Sequence, residues 1–516
     1  MGAALPAGRG RGHGLRARRG APRPRRHRRP AHHRARGGLG GGARLLRRRR
    51  RPRPRGRRAP RPAARARPAA RGVRPRRGAR QPRRAPLGDV GAARPARGQR
   101  RGRRGRAARR QGRRRRGLLR RRRRRPRGLP PGGPQRGGRR VSASSVPATA
   151  GPTPVLVLDH AVLRAAHARL VSALPGVRLH YAVKCNSDPE LLRTLAGEGC
   201  GFEVASAPEL DLLVGLGVDP AGLLFSNPVK PAAHVRRAHA AGVRRFAADG
   251  DEELAKLAAC APGASVLLRL APPRVASRVA SEGKFGVGPE EAVRLLLAAR
   301  DRGLDPLGLT FHVGSQTTCA AAWDAALAQC ADAMRALAGH GVRLRLVDVG
   351  GGFPAAYADQ RPDLAALGTA VVAGLGRLPY PVEVVAEPGR ALVAAAGTMV
   401  CEVLGVAHRR GRRWAHLDAG AFNGFMEALE TGRTLRFPMS DSRGGPTARW
   451  AVTGPTCDSQ DTVLLDVALS AGLRAGDRVA VRSAGAYTTG YASAFNGFPA
   501  PRVEHRRGVP APRCAR

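Results

Sequence analysis

Hydrophobic and polar positions alternate from residue 150 onward in a pattern that predicts strands and helices in turn. Short apolar runs typical of buried strands recur at 155–158, 178–184, 201–205, 222–226, 244–248, 265–270, 307–313, 343–349 and 382–387. Amphipathic segments separate most of these runs, and the clearest are 161–174, 188–196, 251–259, 290–300 and 320–338. The pattern therefore predicts an α/β fold.

The eight strands that follow the first one predict a parallel (β/α)8 TIM barrel. An open dinucleotide-binding sheet would begin with a Gly-rich turn, which this chain lacks. We expect the barrel over residues 160–390. The pattern then changes to strands and Gly/Pro turns without long helices, which predicts a mostly β domain over 391–516. Residues 147–159, which include the first strand, are expected to join that domain.

Composition separates the first 140 residues from the rest. They hold 55 arginines, no lysine and one acidic residue, Asp89, so they carry most of the formal net charge of +60. They also lack Phe, Tyr, Trp and Ile. So much like charge with so few large apolar side chains cannot bury enough surface to offset chain entropy. We expect residues 1–146 to be a disordered Arg/Pro/Gly-rich segment.

Two interpretations of this segment stay open. An arginine-rich arm can bind nucleic acid by neutralising phosphates, although aromatic residues are missing here. Arg, Pro, Gly and Ala are also what GC-rich DNA encodes upstream of a gene or in a wrong frame. That second interpretation predicts a mis-assigned start, with Val141 or Val146 as alternative initiators. Nucleic acid is therefore expected as a partner only if the segment is expressed.

Apolar stretches and cysteines restrict the class of protein further. The first 40 residues lack an apolar core of the length that a signal peptide needs, and the most apolar run, Ala391–Val400, is too short for a membrane span and is followed by Glu402. The eight cysteines are scattered without a Cys-x-x-Cys pair. This argues against a zinc site and a disulfide framework, so we expect no metal and a cytoplasmic location.

Polar residues gather at the predicted carboxyl ends of the barrel strands, where enzymes of this fold carry their active sites. In chain order they are Lys184, Glu203, Asn227, Asp249, Arg269, His312, Gly350, Gly351, Gly352, Glu387 and Arg390. One ring of strand ends would thus hold a lysine, carboxylates, a histidine, an arginine and a glycine turn. Such a set predicts a site for an anion and a charged planar ring.

Each member of the ring has a chemical use. The backbone N–H groups of Gly350–Gly352, with the Ser315 hydroxyl and the Arg390 guanidinium, can hold a phosphate dianion. A carboxylate such as Glu387 keeps a pyridine nitrogen protonated, which strengthens an electron sink. His312 can stack on the ring. These features predict a pyridoxal phosphate pocket.

Lys184 would attach the cofactor in this pocket. It lies at the end of an apolar strand, in a setting where a lysine can lose its proton and attack a carbonyl. Lys184 is therefore the candidate Schiff-base residue.

Eight motifs, in this order, resemble the fold-type III basic amino-acid decarboxylases, and within them the ornithine and lysine/ornithine enzymes. The motifs are Tyr-Ala-Val-Lys-Cys-Asn (181–186), Gly-Phe-Glu-Val-Ala-Ser (201–206), Lys-Phe-Gly (284–286), Phe-His-Val-Gly-Ser-Gln (311–316), Asp-Val-Gly-Gly-Gly-Phe-Pro (348–354), Ala-Glu-Pro-Gly-Arg (386–390), Gly-Pro-Thr-Cys-Asp-Ser (454–459) and Gly-Ala-Tyr-Thr (485–488). The resemblance covers residues 150–500.

The resemblance implies pyridoxal 5'-phosphate as the cofactor. The cofactor-binding residues it implies are Lys184, Glu203, His312, Ser315, Gly350, Gly351, Gly352, Glu387, Arg390 and Tyr487. Glu209 matches a further nearby carboxylate. Glu203 stands where eukaryotic members usually carry Asp, which keeps the charge.

The resemblance also implies a homodimer with two shared active sites. Cys457 and Asp458 match a pair that, in the family, enters the active site from the other subunit. Cys457 would be the second catalytic residue beside Lys184 and would return a proton to the α-carbon. Asp458 would bind the distal amine of the substrate.

The substrate expected from the resemblance is L-ornithine, with L-lysine as a second substrate. The products would be CO2 and putrescine or cadaverine, for polyamine biosynthesis. The eukaryotic substrate-binding aspartate falls on Thr431, whereas Glu427 and Glu430 stand nearby. Because a displaced carboxylate would change the preferred chain length, both glutamates are candidate substrate-binding residues.

Other functions stay open. Diaminopimelate decarboxylase shares the barrel but usually has Cys-Glu-Ser where this chain has Cys457-Asp458-Ser459. Another basic amino acid is a further substrate class. An alanine-racemase-like enzyme would share only the barrel. An inactive regulator related to these enzymes would have lost the lysine or the cysteine, and both are present.

Overall fold

The computed structural model describes residues 146–272 and 283–508. Residues 1–145, 273–282 and 509–516 lie outside the described residues. The predictions for the arginine-rich segment therefore stay predictions.

The first half of the described chain forms a closed barrel of eight parallel strands. The chain enters it through β1 (Val155–Asp159), and the barrel strands are β2 (Arg178–Ala182), β3 (Gly201–Val204), β4 (Leu224–Phe225), β5 (Arg245–Ala248), β6 (Ser265–Leu270), β7 (Asp305–Phe311), β8 (Leu346–Asp348) and β9 (Glu383–Ala386). The barrel closes where β2 pairs with β9, with Arg178 opposite Val385. This confirms the barrel that the hydrophobic pattern predicts.

Eight helices accompany the strands of this part of the described chain. They are α1 (His160–Ala173), α2 (Pro189–Gly197), α3 (Ala207–Gly215), α4 (Ala232–Ala241), α5 (Asp251–Cys260), α6 (Pro289–Asp301), α7 (Ala321–Gly339) and α8 (Leu364–Leu375). Asp159 caps α1 by accepting hydrogen bonds from the backbone N–H groups of Ala161 and Val162. Asp188 caps α2, whose first residue is Pro189.

The remaining strands build a mostly antiparallel β sheet. They are β10 (Gly397–Arg409), β11 (Arg412–Leu417), β12 (Met439–Asp441), β13 (Thr447–Thr453), β14 (Thr462–Ser470), β15 (Arg478–Arg482) and β16 (Arg502–Arg506), with short helices α9 (Arg390–Val393) and α10 (Glu427–Glu430) between them. Strand β1 belongs to this sheet, because it pairs antiparallel with β10 and parallel with β16. The predicted mostly β part of the fold is thereby confirmed.

The barrel interior is filled by large aliphatic side chains. Leu224, Leu267, Leu307, Leu346 and Val385 form a buried cluster contributed by five different strands. A second, larger cluster lies between the strands and the surrounding helices and continues into the β sheet. Packing of this kind closes the barrel interior, so a ligand must bind at an end of the barrel.

A glycine permits the close approach of two barrel strands. A Cβ added to Gly308 on β7 would lie inside van der Waals contact of the Leu346 carbonyl oxygen on β8 and 2.9 Å from its carbonyl carbon. Backbone atoms cannot yield as a flexible side chain does. Gly308 is therefore needed for the β7–β8 pairing.

Within the described ranges, no helix combines the length and apolar character that a membrane crossing requires.

Replacing Gly308 by alanine should lower the free energy of unfolding by about 1–3 kcal/mol, the usual cost of overpacking a core. Thermal unfolding followed by circular dichroism measures this change. The control is Gly339→Ala at the end of α7, where an added Cβ meets nothing within 4 Å. Equal melting temperatures for the two variants would contradict the steric account.

Candidate active site

A cavity of about 300 Å3 opens at the carboxyl ends of the barrel strands. That is large enough for a small cofactor. Its walls include Lys184, Glu203, Ser226, Arg269, His312, Ser315, Gly351, Gly352, Glu387, Arg390 and Tyr487. The structure thus brings together most of the residues that the sequence predicts for the cofactor site. It adds Ser226, for which the sequence offers no motif, and it places Arg269, a strand-end residue without a predicted role, in the cavity wall.

Lys184 lies in a short turn directly after β2, and its side chain lines the cavity. Its Nζ donates a hydrogen bond to Oε2 of Glu203 over 2.5 Å. Burial lowers the pKa of Lys184, but Glu203 and then Glu387 raise it, and the pKa ends above its ordinary value. The sequence predicts a lysine that loses its proton readily; in this structure the hydrogen-bonded carboxylate of Glu203 keeps it an ammonium ion.

Two further carboxyl groups belong to Glu203 on β3 and to Glu209 on α3, the helix that follows it. Glu203 is buried, and burial raises its pKa. Glu209 accepts a hydrogen bond from the backbone N–H of Ala205 at 2.6 Å, while its own N–H donates to the Ser206 hydroxyl. This is a variant of the capping box at the start of α3, in which Glu209 binds the backbone N–H of the residue before the N-cap Ser206. Glu209 therefore has a local structural role.

His312 follows β7 and is held as a neutral ring. Burial, followed by the charges of Arg269 and Lys184, lowers its pKa to about 3. A Cβ on Gly351 would lie 3.3 Å from the His312 ring. The imidazole thus stands against the glycine turn, and a neutral flat ring there is suited to stacking on another ring.

The glycine turn after β8 depends on the absence of side chains. Gly350 and Gly352 have φ values of 66° and 97°, a region that favours glycine. A Cβ on Gly350 would overlap the carbonyl oxygen of Phe311, and one on Gly351 would lie 2.8 Å from the carbonyl oxygen of Glu387. Because no side chain covers it, the backbone of this turn can approach a ligand closely.

Arg390 is buried beside the turn and makes a dense set of hydrogen bonds. Its Nη1 donates to the hydroxyl of Tyr357 at 2.8 Å and to Oε2 of Glu427 at 2.9 Å. Its Nη2 donates to the other oxygen of Glu427, and to Oγ of Ser315 at 3.1 Å. The guanidinium group therefore joins the cavity wall at Ser315 to a carboxylate of the β sheet domain.

Glu427 has a partner that the sequence does not indicate. The sequence suggests a substrate-binding carboxylate, but Glu427 is 4% exposed and forms a two-point ion pair with Arg390. A buried guanidinium requires a counterion, and Glu427 supplies it. Glu430 is exposed at the end of α10 and is not part of the cavity wall.

Cys457 and Asp458 lie in a different part of the molecule. They line an open depression of about 750 Å3 on the β sheet domain, together with residues such as Arg412 and Trp414. The Cys457 side chain is exposed, and its Sγ is 3.9 Å from Oδ1 of Asn496. A single chain therefore does not bring the predicted proton donor into the cavity that holds Lys184.

The residues of the cavity fit pyridoxal phosphate. The glycine turn and Arg390 provide N–H groups and positive charge for a phosphate. Glu387 provides a carboxyl group for the ring nitrogen, and Lys184 an amine for the aldehyde. These groups would hold the cofactor if it binds in the orientation that the sequence predicts.

Replacing Glu427 by glutamine should destabilise the protein on the order of 3 kcal/mol, because it leaves the buried Arg390 charge uncompensated. Inorganic phosphate should raise the melting temperature of this variant more than that of the parent, since an anion can take the place of the carboxylate. The matched control is Glu430→Gln on the same helix, which should stay within about 0.5 kcal/mol of the parent. Equal destabilisation by both changes would exclude the ion pair as the cause.

Comparison with known proteins supports this interpretation of the cavity. Residues 160–394 match the family model of the pyridoxal-dependent decarboxylases, pyridoxal binding domain. The lysine/ornithine decarboxylase of Selenomonas ruminantium is 37% identical over 67% of this chain and 88% of its own length. Ornithine decarboxylase 2 of Drosophila melanogaster is 32% identical over 64% of this chain and 86% of its own.

A solved structure is similar over the same region. The lysine/ornithine decarboxylase of Vibrio vulnificus, complexed with cadaverine, gives a TM-score of 0.64 at 35% identity, over 69% of this chain and 94% of its own. The predicted enzyme class and cofactor are confirmed. The chain belongs to the fold-type III basic amino-acid decarboxylases, whose cofactor is pyridoxal phosphate.

Proposed function

We propose that this enzyme decarboxylates L-ornithine, with L-lysine as a second substrate, and releases CO2 with putrescine or cadaverine. The observation that carries the proposal is the acidic side chain of Asp458 directly after the Cys457 thiol. A carboxylate there would pair with a distal ammonium group and would repel a distal carboxylate. Named relatives support the same class, since the Vibrio vulnificus enzyme has been solved with cadaverine and with putrescine.

The cavity residues would divide the binding of the cofactor among them. Gly350–Gly352, Ser315 and Arg390 would hold the phosphate, and Tyr487 closes that side, with its ring 5.0 Å from the Arg390 guanidinium carbon. Lys184 would attach the cofactor. When bound, pyridoxal phosphate supplies the electron sink that loss of CO2 requires.

The ring itself would be positioned by two residues of the cavity wall, His312 and Glu387. His312 would stack against it as a neutral imidazole. Glu387 would accept a hydrogen bond from the ring nitrogen and so keep it protonated. The positions of His312 and Glu387 in the cavity wall support both proposed roles.

Proton delivery is the task proposed for Cys457. When the bond between the α-carbon and the carboxylate breaks, CO2 leaves and the α-carbon requires a proton. A thiol is suited to supply it, because its ordinary pKa of about 8.5 lies near neutrality. Asp458 would hold the distal amine at the same time and so fix the distance to the α-carbon.

A second copy of the chain would complete each site. Cys457 and Asp458 lie outside the cavity of their own chain, on an exposed depression. A head-to-tail dimer would place this depression over the partner's cavity and create two equivalent sites. We further propose a role in polyamine biosynthesis in the cytoplasm, where scattered free cysteines are stable.

A CO2-release assay with the purified chain and pyridoxal phosphate tests the substrate. We expect turnover of ornithine, slower turnover of lysine, and at least 100-fold lower kcat/KM with meso-diaminopimelate, because Asp458 would face its distal carboxylate. Arginine is included as a longer basic substrate. Turnover of diaminopimelate alone would refute the proposed substrate and would favour diaminopimelate decarboxylase.

Mixing two inactive variants tests the shared site. Lys184→Ala and Cys457→Ala should each lose most activity, but their equimolar mixture should regain about a quarter of the parent activity, because half of the dimers then hold one intact site. A mixture of Lys184→Ala with His312→Ala is the control. It should stay inactive, since both residues belong to one chain's cavity. Failure of the first mixture to recover would place Cys457 outside the partner's site.

A further inference from the structure

Two carboxyl groups lie side by side behind the cavity. Asp348 ends β8 and Glu387 follows β9, and these strands are parallel neighbours. The backbone N–H of Glu387 donates to the carbonyl oxygen of Gly350 at 2.8 Å, which fixes the spacing of the two strand ends. The side chains of Asp348 and Glu387 are within hydrogen-bonding reach of each other. Two carboxyl groups so close hold a proton between them, because both cannot ionise without strong repulsion.

The hydrogen bonds of Asp348 decide where that proton resides. Oδ2 accepts from the hydroxyl of Thr310 at 2.7 Å, and Oδ1 accepts from the backbone N–H of Gly350 at 2.8 Å. The residue is fully buried. Donors to both oxygens stabilise the ionised form of Asp348. Glu387 accepts one hydrogen bond, from the Ser226 hydroxyl, and is therefore the better place for the proton.

The environment of Asp348 and Glu387 also favours the proton on Glu387. Burial, then Asp348, raises the pKa of Glu387 to about 8, although Lys184 opposes the shift. Burial raises the pKa of Asp348 only to about 6, because Thr310 and Gly350 oppose it. Glu203 adds negative charge near Asp348, and Arg269 adds positive charge near both carboxyl groups. Near neutrality the pair therefore carries one proton.

We propose that Asp348 is a positioning residue that, with Thr310, keeps a proton on Glu387 in the cofactor-free enzyme, and that this proton leaves when the cofactor's ring nitrogen binds there. The inference rests on the proposed role of Glu387 as the partner of that nitrogen. Asp348 is not among the residues that line the cavity. The negative charge of Asp348 favours the protonated form of Glu387. Glu387 then ionises only when a positively charged ring nitrogen takes the place of that proton.

One consequence is a proton-coupled affinity for the cofactor. Glu387 must lose its proton to accept the hydrogen bond of a protonated ring nitrogen. Binding through this group is therefore weak at low pH and strengthens as pH rises, up to the pKa of about 8. Asp348→Asn removes the neighbouring negative charge but still accepts a hydrogen bond from Gly350. In that variant Glu387 should already be ionised at pH 7.

Calorimetric titration with pyridoxal phosphate at pH 7, in two buffers of different ionisation enthalpy, counts the protons released. The parent should release nearly one proton more than Asp348→Asn, since contributions from the phosphate and from Lys184 are common to both and cancel. Between pH 6 and 8, the ratio of the two dissociation constants should change by roughly tenfold per pH unit. Equal proton release by the two proteins would overturn the proposal.

Infrared spectroscopy of the cofactor-free protein gives a readout independent of cofactor binding and of the substrate. A carbonyl band of a protonated carboxyl group should be present at pH 7 in the parent and absent in Glu387→Gln and Asp348→Asn. Absence of the band in the parent overturns the shared proton. Its presence together with equal proton release refutes only the pairing of Glu387 with the ring nitrogen, and therefore the coupling.

Thr310 variants cover the case in which Asp348→Asn does not fold. Thr310→Val removes one donor to Asp348 and lets Asp348 take the proton, so proton release on cofactor binding should fall between those expected for the parent and Asp348→Asn. Thr310→Ser keeps the hydroxyl and should restore the parent value. A merely structural role of the Thr310–Asp348 contact would change stability in Thr310→Val and leave the proton count at the parent value, which would contradict the proposal.

Discussion

The arrangement of the cavity depends on the buried ion pair between Arg390 and Glu427. Arg390 follows the last barrel strand, whereas Glu427 stands on α10, among the strands of the β sheet domain. Leaving either charge without its partner would cost several kcal/mol, so the pair fixes the two parts of the chain against each other. The same pair turns the remaining N–H groups of the guanidinium toward Ser315. One side chain therefore both lines the cavity and takes part in the packing of the β sheet domain.

The sequence predicts the location of a cavity side chain well when local pattern and strand order determine that location. Lys184, His312 and Glu387 each follow a barrel strand, and strand ends of a closed parallel barrel meet at one rim, so their proximity follows from the fold alone. The ion pair of Glu427 escapes prediction for the opposite reason. Its partner Arg390 lies 37 residues away on a different element. No local pattern indicates which of two nearby glutamates will turn inward.

Asp348 and Cys457 show two further limits of sequence-based prediction. Asp348 ends a short apolar strand beside a glycine turn, where an acidic residue is easily taken for a turn former. Its importance depends on Thr310 and Glu387, which are distant in sequence and adjacent only across the barrel. For Cys457 the motif suggests a chemistry but not a place, because the thiol lies on the β sheet domain, outside the cavity that Lys184 lines.

Strand β1 lies between β10 and β16, so the barrel is inserted in sequence between strands of one sheet. During synthesis the barrel segment leaves the ribosome complete while β1 still lacks both of its neighbours. The apolar residues Val155 and Val157 pack on Val400, so they lack this contact until the later part of the chain has been synthesised. Sensitivity to truncation should therefore be greatest at β1 and at the two strands that pair with it.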